Sequence, residues 1–462
     1  MALARGWAQP LVLAAAAAAV TAAGMVLAYS YGPVAPVVAA AALALAALAV
    51  ANPLGAVLVA IVLIPLEIVS LGVGGGAGLS PAEGAFVLAG FGWAARRIAA
   101  GLPPYVASPL TKPLAVLLVI AVAGLGVAED TGLALRIVLM WTAAFFVVQL
   151  VVDEASPSTV GWMLLLLALT GGVVGVLAGV TSAGEEQQVV GLGTEATGRA
   201  AGSFGHPNML AVFLAIALAA AVAVAVGGRA RFRPLAAAAF LAALAGLALT
   251  LSRGGLLAAA AAVAVMLVWR PFRRGAAVAA VVGVVALLLG GGDVLGNSQS
   301  VDRVTKRIES VRYAAQGADP RADLWRRTPE VIGDHPLVGV GAGQFPLVAE
   351  RYGLRDPVSD YQPFQHAHNI PLTVAAELGL LGLAALVWFA LKLAVVVVRA
   401  CRRTRTWERA YAFGLAAALL AIAVQGLVDF TLRSNVVAAL SLTLAAGAVV
   451  LSRTASTAPP AD

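Results

Sequence analysis

The sequence predicts an all-α polytopic membrane protein with about 12–14 transmembrane helices. Its 462 residues are 61% hydrophobic and 11% charged, and the mean hydropathy is +0.94. Soluble globular domains carry about 25% charged residues. Apolar runs of roughly 17–25 residues recur along the chain, and this length crosses a bilayer as a helix. We therefore expect a single transmembrane domain over residues 1–462.

Charge and cysteine content exclude two other classes of protein. The net charge is +7, but the positive residues stand between apolar runs, so they indicate membrane topology rather than binding to nucleic acid. Cys401 is the only cysteine, so an intramolecular disulfide is impossible. The first apolar run, residues 11–30, is followed almost at once by another, which favours a retained anchor over a cleaved signal peptide.

The apolar runs define candidate spans, and their flanking charges define an orientation. The spans lie near residues 11–30, 33–51, 54–73, 82–98, 113–128, 133–152, 159–180, 207–226, 235–252, 254–270, 275–291, 369–396, 409–429 and 434–451. Four positively charged loops then fall on one face, together with both termini. Their residues are Arg96, Arg97, Lys112, Arg229, Arg231, Arg233, Arg270, Arg273, Arg274, Arg399, Arg402, Arg403, Arg405 and Arg409. By the positive-inside rule we predict that this face is cytoplasmic.

The opposite, extracytoplasmic face receives three notable segments and every histidine of the chain. The segments are a loop near residues 181–206, a tight junction at 251–255 and a long loop at 292–368, and the histidines are His206, His335, His366 and His368. Chance would scatter four histidines over both faces. Their placement therefore suggests chemistry at this face.

The long loop is predicted to be structured rather than disordered. Residues 301–315 show apolar positions at helical spacing, which predicts an amphipathic helix. Asp319 and Pro320 are typical of an N-cap and a first helical position, so a second, short helix should follow. Pro329 is expected to end or kink that helix. Residues 335–343 are rich in glycine and predict a turn-rich connector.

Three arginines of the extracytoplasmic face are candidate anion ligands. Arg253 stands between two apolar spans, where an arginine costs roughly 2.5–3.5 kcal/mol at mid-bilayer. Snorkelling to the interface is one explanation. A phosphate site is the other, because the planar guanidinium matches phosphate geometry. Arg199 and Arg321 are surface charges by default, although Arg321 stands near Trp325 at a predicted helix start.

His366 and His368 flank one alanine and precede Asn369, where the long loop re-enters the membrane. A helix N-terminus disfavours positive charge on His368, so we expect a neutral imidazole that can act as a general base. A capping or interfacial histidine is the structural alternative. Zinc held by His366, His368 and a carboxylate is the chemical alternative. The sequence supplies no firm third ligand, so we predict no metal.

Glu377 lies nine residues beyond His368, which places it on about the opposite side of an ideal helix. It is expected to pack against a neighbouring helix or to face an internal cavity. Gly379 and Gly382 follow, and they are expected to let helices approach closely.

Several common catalytic motifs are missing from the sequence. It contains no Walker-type phosphate loop, no serine nucleophile elbow and no Asp-x-Asp motif. This argues against a cytosolic enzyme that uses nucleotide sugars. It fits a metal-independent reaction with lipid-linked donors at the extracytoplasmic face.

Four motifs, in order along the chain, resemble the O-antigen ligase superfamily. They are Arg199 with Gly-Ser-Phe-Gly-His-Pro-Asn at 202–208, Ser-Arg-Gly at 252–254, Arg321 and Trp325 followed by Pro-Leu-Val-Gly-Val-Gly at 336–341, and His368-Asn369 followed after nine residues by Gly379-x-x-Gly382. The resemblance covers about 199–385. The superfamily includes O-antigen ligases, O-antigen polymerases and some protein O-oligosaccharyltransferases.

The resemblance implies a fold, a substrate and site residues. Such enzymes lie in the bacterial cytoplasmic membrane as GT-C-like helix bundles, and a loop, here 292–368, caps the active site. They move a glycan from an undecaprenyl-diphosphate carrier to an acceptor hydroxyl, on a lipid A core for ligases or on a growing glycan for polymerases. The family's essential histidine corresponds to His368. Its phosphate-binding arginines correspond to Arg253 and Arg321, with Arg199 as a third candidate.

A mechanism without cofactor follows from the motifs and the resemblance together. Arg253 and Arg321 hold the diphosphate. His368 accepts the proton of the acceptor hydroxyl, and Asn369 or His366 orients its imidazole. The anomeric centre inverts in a single displacement.

Two other classes of function stay open from sequence alone. A transporter or flippase of lipid-linked glycans also has many spans and few charges, and Glu67 and Arg136 are its main candidate residues within spans. A non-catalytic scaffold of an envelope-polysaccharide complex is the third hypothesis. Polar residues otherwise cluster at one face, which favours surface chemistry over transport.

Overall fold

The structure, a computed structural model, describes residues 34–67, 78–183, 199–273, 320–356, 363–404 and 406–454. These residues are predominantly helical. Their β structure is limited to isolated bridge residues, and one such antiparallel bridge joins Arg355 and Pro363. The predicted all-α polytopic fold class is therefore confirmed.

Helices occupy almost all of the described chain outside short connections. The α-helices are α1 (Val34–Ala51), α2 (Pro53–Leu63), α3 (Pro81–Ala99), α4 (Thr111–Ala123), α5 (Thr131–Glu154), α6 (Pro157–Ala183), α7 (Pro207–Gly227), α8 (Arg233–Leu249), α9 (Arg253–Val268), α10 (Pro320–Asp334), α11 (Phe345–Ala349), α12 (Ile370–Arg403), α13 (Thr406–Gly426) and α14 (Asn435–Thr454).

Each predicted span within the described residues coincides with one of these helices. Among the described residues, seven helices are long and apolar enough to cross a membrane, and four shorter apolar helices accompany them. The predicted spans 11–30 and 275–291 lie outside the described residues, as does the predicted amphipathic helix 301–315. The span predicted at 54–73 is shorter than expected, because α2 ends at Leu63 and a 3-10 turn ends at Leu66.

Helix α7 forms the centre of the bundle. It begins with Pro207 at its first turn, where proline's missing N–H and fixed φ are tolerated. Its residues are predominantly Ala, Val and Leu, and nearly all of them are buried. Helices α6, α8, α9 and α13 pack around it. A helix that is apolar on every side is expected in such an interior position.

The connections gather at two ends of the bundle. The end that we call the basic end contains residues 100–110, 155–156, 228–232 and 269–273. The opposite end, which we call the site end, contains residues 78–80, 124–130, 199–206, 250–252, 335–344 and 427–434. The described positive residues of the four predicted cytoplasmic loops all lie toward the basic end. The loops are therefore divided between the two ends of the bundle as the predicted spans require.

Helix α10 differs from the prediction at Pro329. The helix starts at Pro320, as expected, but it continues through Pro329 to Asp334. Of the two predicted effects of Pro329, an end or a kink, the end is therefore wrong. Leu324 and Val331 lie on its buried face against Phe345, so packing holds the helix together despite the lost N–H.

Helix α12 is broken at Gly379. This residue has φ +68° and ψ −172°, a conformation that is essentially restricted to glycine. The connector 335–344 occupies the break: Val340 N donates to Ala376 O at 3.0 Å and Leu380 N donates to Pro336 O at 2.8 Å. A Cβ on Gly379 would lie 2.2 Å from the Leu337 oxygen. The close approach is therefore made by the connector, and not by a neighbouring helix as the sequence suggested.

Glu377 fastens the same connector. Its Oε2 accepts the N–H of Gly343 at 2.9 Å, and the carboxylate is buried. Irregular backbone at membrane depth is tolerated only where it is covered by protein and its polar groups are satisfied. The connector and Glu377 meet that requirement, so they fix the start of α12 beside the loop residues that precede it.

Candidate functional site

The centre of the site end is a hydrogen-bond network around Asn208, the second residue of α7. Its Nδ2 donates to Asp429 Oδ2 at 2.6 Å, and its Oδ1 accepts from Ser252 Oγ at 2.9 Å and Arg199 Nη2 at 3.2 Å. Gln425 Nε2 donates to the Asn208 backbone oxygen at 2.7 Å. One amide residue thus connects the loop before α7, the α8–α9 junction and the end of α13.

A polar cavity opens beside this network. It encloses ≈ 310 Å³ including its open mouth. Its lining residues are Arg199, Asn208, Arg253, Gly254, Arg321, Gln425, Val428 and Asp429. Three of them are arginines and one is a carboxylate, so the lining carries an excess of positive charge. Such a cavity suits an anion such as a phosphate group.

Backbone groups hold the arginines of the cavity in place. Arg199 Nε donates to the Thr250 oxygen at 3.0 Å, and Arg321 Nη1 donates to the Val428 oxygen at 2.8 Å. Arg253 is the first residue of α9, where the helix start itself favours negative charge. The structure therefore brings together the three arginines that the sequence singled out, from positions as far apart as 199 and 321.

Asp429 is the carboxylate at the edge of the cavity, and it contacts His368. Its Oδ1 lies 3.0 Å from His368 Nδ1 and also accepts the N–H of Phe430 at 2.8 Å. Asp429 is only 2% exposed. Burial raises its pKa, but the His368 hydrogen bond and the nearby histidines and Arg321 outweigh burial and hold the pKa well below its usual range. An ionised Asp429 accepts from Nδ1–H, which leaves the lone pair of a neutral His368 on Nε2.

The backbone around His368 is fixed by its neighbours. His368 has φ +49°, which is uncommon for a residue other than glycine. Trp325 Nε1 donates to the Ala367 oxygen at 2.8 Å. Asn369 is the N-cap of α12, and its Nδ2 donates to the Leu427 oxygen at 2.9 Å. Asn369 thus joins α12 to the loop that carries Asp429, while the contact with the imidazole itself is made by Asp429.

Three of the four histidines lie together. The rings of His366 and His368 have centroids 4.2 Å apart, and His366 Nδ1 accepts the backbone N–H of His368 at 3.1 Å. Burial, together with the positive charge of Arg433, lowers the pKa of His206 to about 3. Burial also lowers the pKa of His366 well below its usual range, helped by His368. His206 and His366 are therefore neutral near pH 7, whereas His335 is exposed elsewhere.

The predicted supporting residue Glu377 does not belong to this cluster. Its carboxylate accepts hydrogen bonds from backbone groups, at Gly343 in the connector and at Phe345, the first residue of α11. It contributes to the site indirectly, since it holds the connector against the broken helix that begins beside His368.

His366, His368 and Asp429 form the one described cluster with the geometry of a metal site. Their ligand atoms all lie within 4.8 Å of one another. Asp429 is the third ligand that the sequence could not name. Arg433 Nη1, however, lies 3.3 Å from His366 Nε2, and its positive charge opposes a cation there. The absence of a metal stays a prediction.

Sequence reasoning missed Asp429, Gln425 and Arg433, and it gave Asn208 no role. A signal for Asp429 was present, because an acidic residue at the end of an apolar span is costly and therefore marks a functional candidate. The predicted span 409–429, however, included Asp429 as its last residue. In the structure α13 ends at Gly426, and Asp429 belongs to the loop that follows.

The fold and the site together define a multi-pass membrane protein with an arginine-lined cavity next to a buried histidine–aspartate pair. Residues 237–387 match the family model described as O-Antigen ligase. This segment is thus similar to the O-antigen ligase family, in agreement with the resemblance that the motifs of the chain predicted. The matched segment contains Arg253, Arg321 and His368, whereas Arg199 precedes it.

The other two comparisons add little. Comparison with curated proteins finds no match. A chain from a solved peptidoglycan synthase complex is similar, with 19% identity over 74% of this chain and 95% of that chain, and a TM-score of 0.43.

Proposed function

We propose that this protein is a membrane glycosyltransferase of the O-antigen ligase type. It transfers a glycan from an undecaprenyl-diphosphate-linked donor to an acceptor hydroxyl, at the extracytoplasmic face of the bacterial cytoplasmic membrane. The observation that carries the proposal is the 3.0 Å contact between His368 Nδ1 and the buried Asp429, next to a cavity lined by Arg199, Arg253 and Arg321.

The diphosphate of the donor occupies the arginine-lined cavity. Guanidinium groups suit phosphate because they donate paired hydrogen bonds and stay charged. As the bond between the anomeric carbon and the diphosphate oxygen breaks, negative charge grows on that oxygen. Arg253 and Arg321 stabilise this charge, and undecaprenyl diphosphate leaves.

His368 activates the acceptor. Its Nε2 takes the proton of the acceptor hydroxyl while that oxygen attacks the anomeric carbon from the side opposite the leaving diphosphate, so the configuration inverts. Asp429 holds the required tautomer and stabilises the imidazolium that forms. His366, neutral and in ring contact with His368, confines the imidazole. The reaction needs no metal, because the arginines supply the positive charge.

A polymerase of the same superfamily would use the same groups, and only the acceptor would differ. A transporter is less well supported by the positions of Glu67 and Arg136. Ser80 Oγ donates to Glu67 at 2.7 Å, and Arg136 Nη2 donates to the Gly78 oxygen at 3.1 Å. Both residues therefore lie toward the site end rather than along a path through the bundle.

The test is a transfer assay with purified full-length protein in liposomes that contain lipid-linked glycan. We expect His368→Ala and Arg321→Ala to lose transfer by about 10²-fold or more. Arg326→Ala is the matched control, because Arg326 lies on the same helix α10 but is 74% exposed. It should retain activity.

Circular dichroism and size-exclusion profiles establish that the variants are folded. Full transfer by His368→Ala would overturn the proposal. Movement of intact lipid-linked glycan across the bilayer, dependent on ATP or an ion gradient, would instead establish transport. The length of the products separates a single ligation from polymerisation.

A further inference from the structure

Arg433 is a further positively charged residue at the site end, and the mechanism proposed above does not use it. It lies on the loop between α13 and α14, four residues after Asp429. It does not line the arginine cavity. Its side chain is exposed, and its Nη1 lies 3.3 Å from His366 Nε2. Contacts therefore run in sequence from the cavity through Asp429, His368 and His366 to Arg433.

The contact between Arg433 and His366 does not satisfy the guanidinium. His366 Nδ1 already accepts the backbone N–H of His368 at 3.1 Å. A neutral imidazole has one acceptor nitrogen, so its Nε2 then carries a proton and faces the N–H of Arg433 donor to donor. In the alternative tautomer His366 Nδ1 carries the proton, and the backbone N–H of His368 would then face this proton instead of an acceptor. Either way, His366 cannot serve as a full acceptor for both neighbours.

No carboxylate in the described part of the chain lies within 4.0 Å of the Arg433 guanidinium. The charge of Asp429 acts on Arg433, but Asp429 already lies within hydrogen-bond distance of His368, Asn208 and Phe430. Desolvation by surrounding protein lowers the pKa of Arg433 although its side chain is accessible. The guanidinium is therefore partly surrounded by protein yet accessible from solvent, so an anion can approach it.

We propose that Arg433 binds an anionic group of the acceptor, a carboxylate or a phosphate on a sugar, in a subsite on the His366 side of the catalytic imidazole. This inference rests on the proposed function, since it assigns the two sides of His368 to two substrates. The arginine cavity on the Asp429 side holds the diphosphate of the donor. Arg433, on the other side, selects acceptors that carry a negative charge and turns their hydroxyl toward Nε2.

The first experiment measures binding and does not require turnover. The full-length protein in nanodiscs is examined by saturation-transfer NMR with three probes: methyl glucuronide, glucose 6-phosphate and neutral methyl glucoside. We expect the two anionic probes to bind, and Arg433→Gln to weaken them by about tenfold or more, as for loss of a hydrogen bond to a charged group. Arg433→Lys should retain part of the binding. Arg326→Gln, an exposed arginine in an ion pair on α10, is the matched control and should bind like the native protein.

The second experiment uses transfer, with the same sugars as competitors. Anionic sugars should inhibit the native protein more strongly than methyl glucoside does, and Arg433→Gln should abolish this difference. The donor KM of Arg433→Gln should stay within about twofold of native, because the diphosphate lies in the other cavity. The relative strength of glucuronide and sugar phosphate identifies which anion the subsite prefers.

Two results would overturn the inference. One is equal binding of anionic probes to Arg433→Gln and native protein. The other is a rise of the donor KM in Arg433→Gln with no change in acceptor preference, which would assign Arg433 to the donor. Failure of the proposed function would give a different result. His368→Ala would then keep full transfer, independently of how the sugar probes bind.

Discussion

The two ends of the helix bundle use charged residues in opposite ways. At the basic end, Arg97 pairs with Asp153 at 2.8 Å and Arg96 pairs with Glu154, and the side chains in these pairs are between 18% and 39% exposed. At the site end, Asp429 is 2% exposed and lies within hydrogen-bond distance of donors from two other segments, His368 and Asn208, and of the adjacent Phe430 N–H.

The difference teaches which charges hold helices together and which are available for chemistry. The pairs of the basic end link α3 to α5, and each positive charge has its own carboxylate. The cavity at the site end has three arginines to one carboxylate. Half-buried positive charge attracts anions, so this lining favours an anionic ligand, whereas the paired charges of the basic end favour the packing of α3 against α5.

Removal of the Asp429 charge should have the largest effect. Asp429→Asn keeps the shape but replaces an acceptor with an amide, so it can no longer fix the Nδ1–H tautomer of His368 or stabilise an imidazolium. We expect transfer to fall by about 10²- to 10⁴-fold. Single-turnover rates in liposomes measure this. Asp153→Asn at the basic end is the control, and an equal loss in both variants would contradict the contrast between the ends.

The break in α12 should be the next most sensitive feature. Gly379→Ala places a methyl group 2.2 Å from the Leu337 oxygen and forces alanine to φ +68°. We expect a loss of about 1–3 kcal/mol of stability and a displaced connector. Thermal unfolding in detergent measures the first, and limited proteolysis of residues 335–344 measures the second.

Gly84→Ala on α3 is the matched control for Gly379. Nothing lies within 4 Å of its Cβ position, so this change should be neutral or stabilise the helix by roughly 0.5–1 kcal/mol. A Gly379→Ala variant as stable as Gly84→Ala would show that the break does not depend on glycine.

Acidification should destabilise the site end through His206. Burial lowers its pKa from 6.5 to about 3, so the folded state keeps it neutral while the unfolded state binds a proton below about pH 6.5. The contribution of His206 is therefore complete above pH 6.5 and is lost as the pH falls toward 3. Between pH 6.5 and 5 the free energy of unfolding should fall by about 2 kcal/mol through His206. His206→Asn retains an N-cap acceptor for α7 but does not titrate. Between pH 6.5 and 5, its thermal midpoint should therefore fall less than that of the native protein. An equal fall in both proteins would show that His206 is not the cause.

The basic end should show the smallest response. Arg97→Gln breaks an accessible ion pair, and such pairs contribute about 0–1 kcal/mol. We expect a slightly lower thermal midpoint and unchanged transfer. A large loss of transfer in Arg97→Gln would mean that the two ends are coupled, which the separate roles assigned to them do not allow.

Much of the site could be predicted because its residues stand out locally. Arg253 interrupts an apolar stretch, and His368 and Asn369 begin a helix, so composition and motif spacing identify them. Asp429 and Arg433 occupy a short loop between apolar spans, and this loop contains no recognisable motif. Asp429 was also assigned to the predicted span 409–429 rather than to the loop. Gly379 was noted, but a φ of +68° inside a helix depends on the connector that fills the break.

The sequence by itself determined the helical membrane class, the positions of the described helices, the sorting of loops between two ends and the resemblance to the O-antigen ligase superfamily. Hydrophobicity, charge and motif spacing are properties of the chain that do not depend on which helices become neighbours. Tertiary structure decided that Asp429 meets His368, that three arginines share one cavity and that Arg433 stands beside His366. The hydrogen bonds that assemble this site join segments separated by up to 221 residues, as between Asn208 and Asp429. They depend on how the helices pack around α7, and local sequence carries no record of that packing.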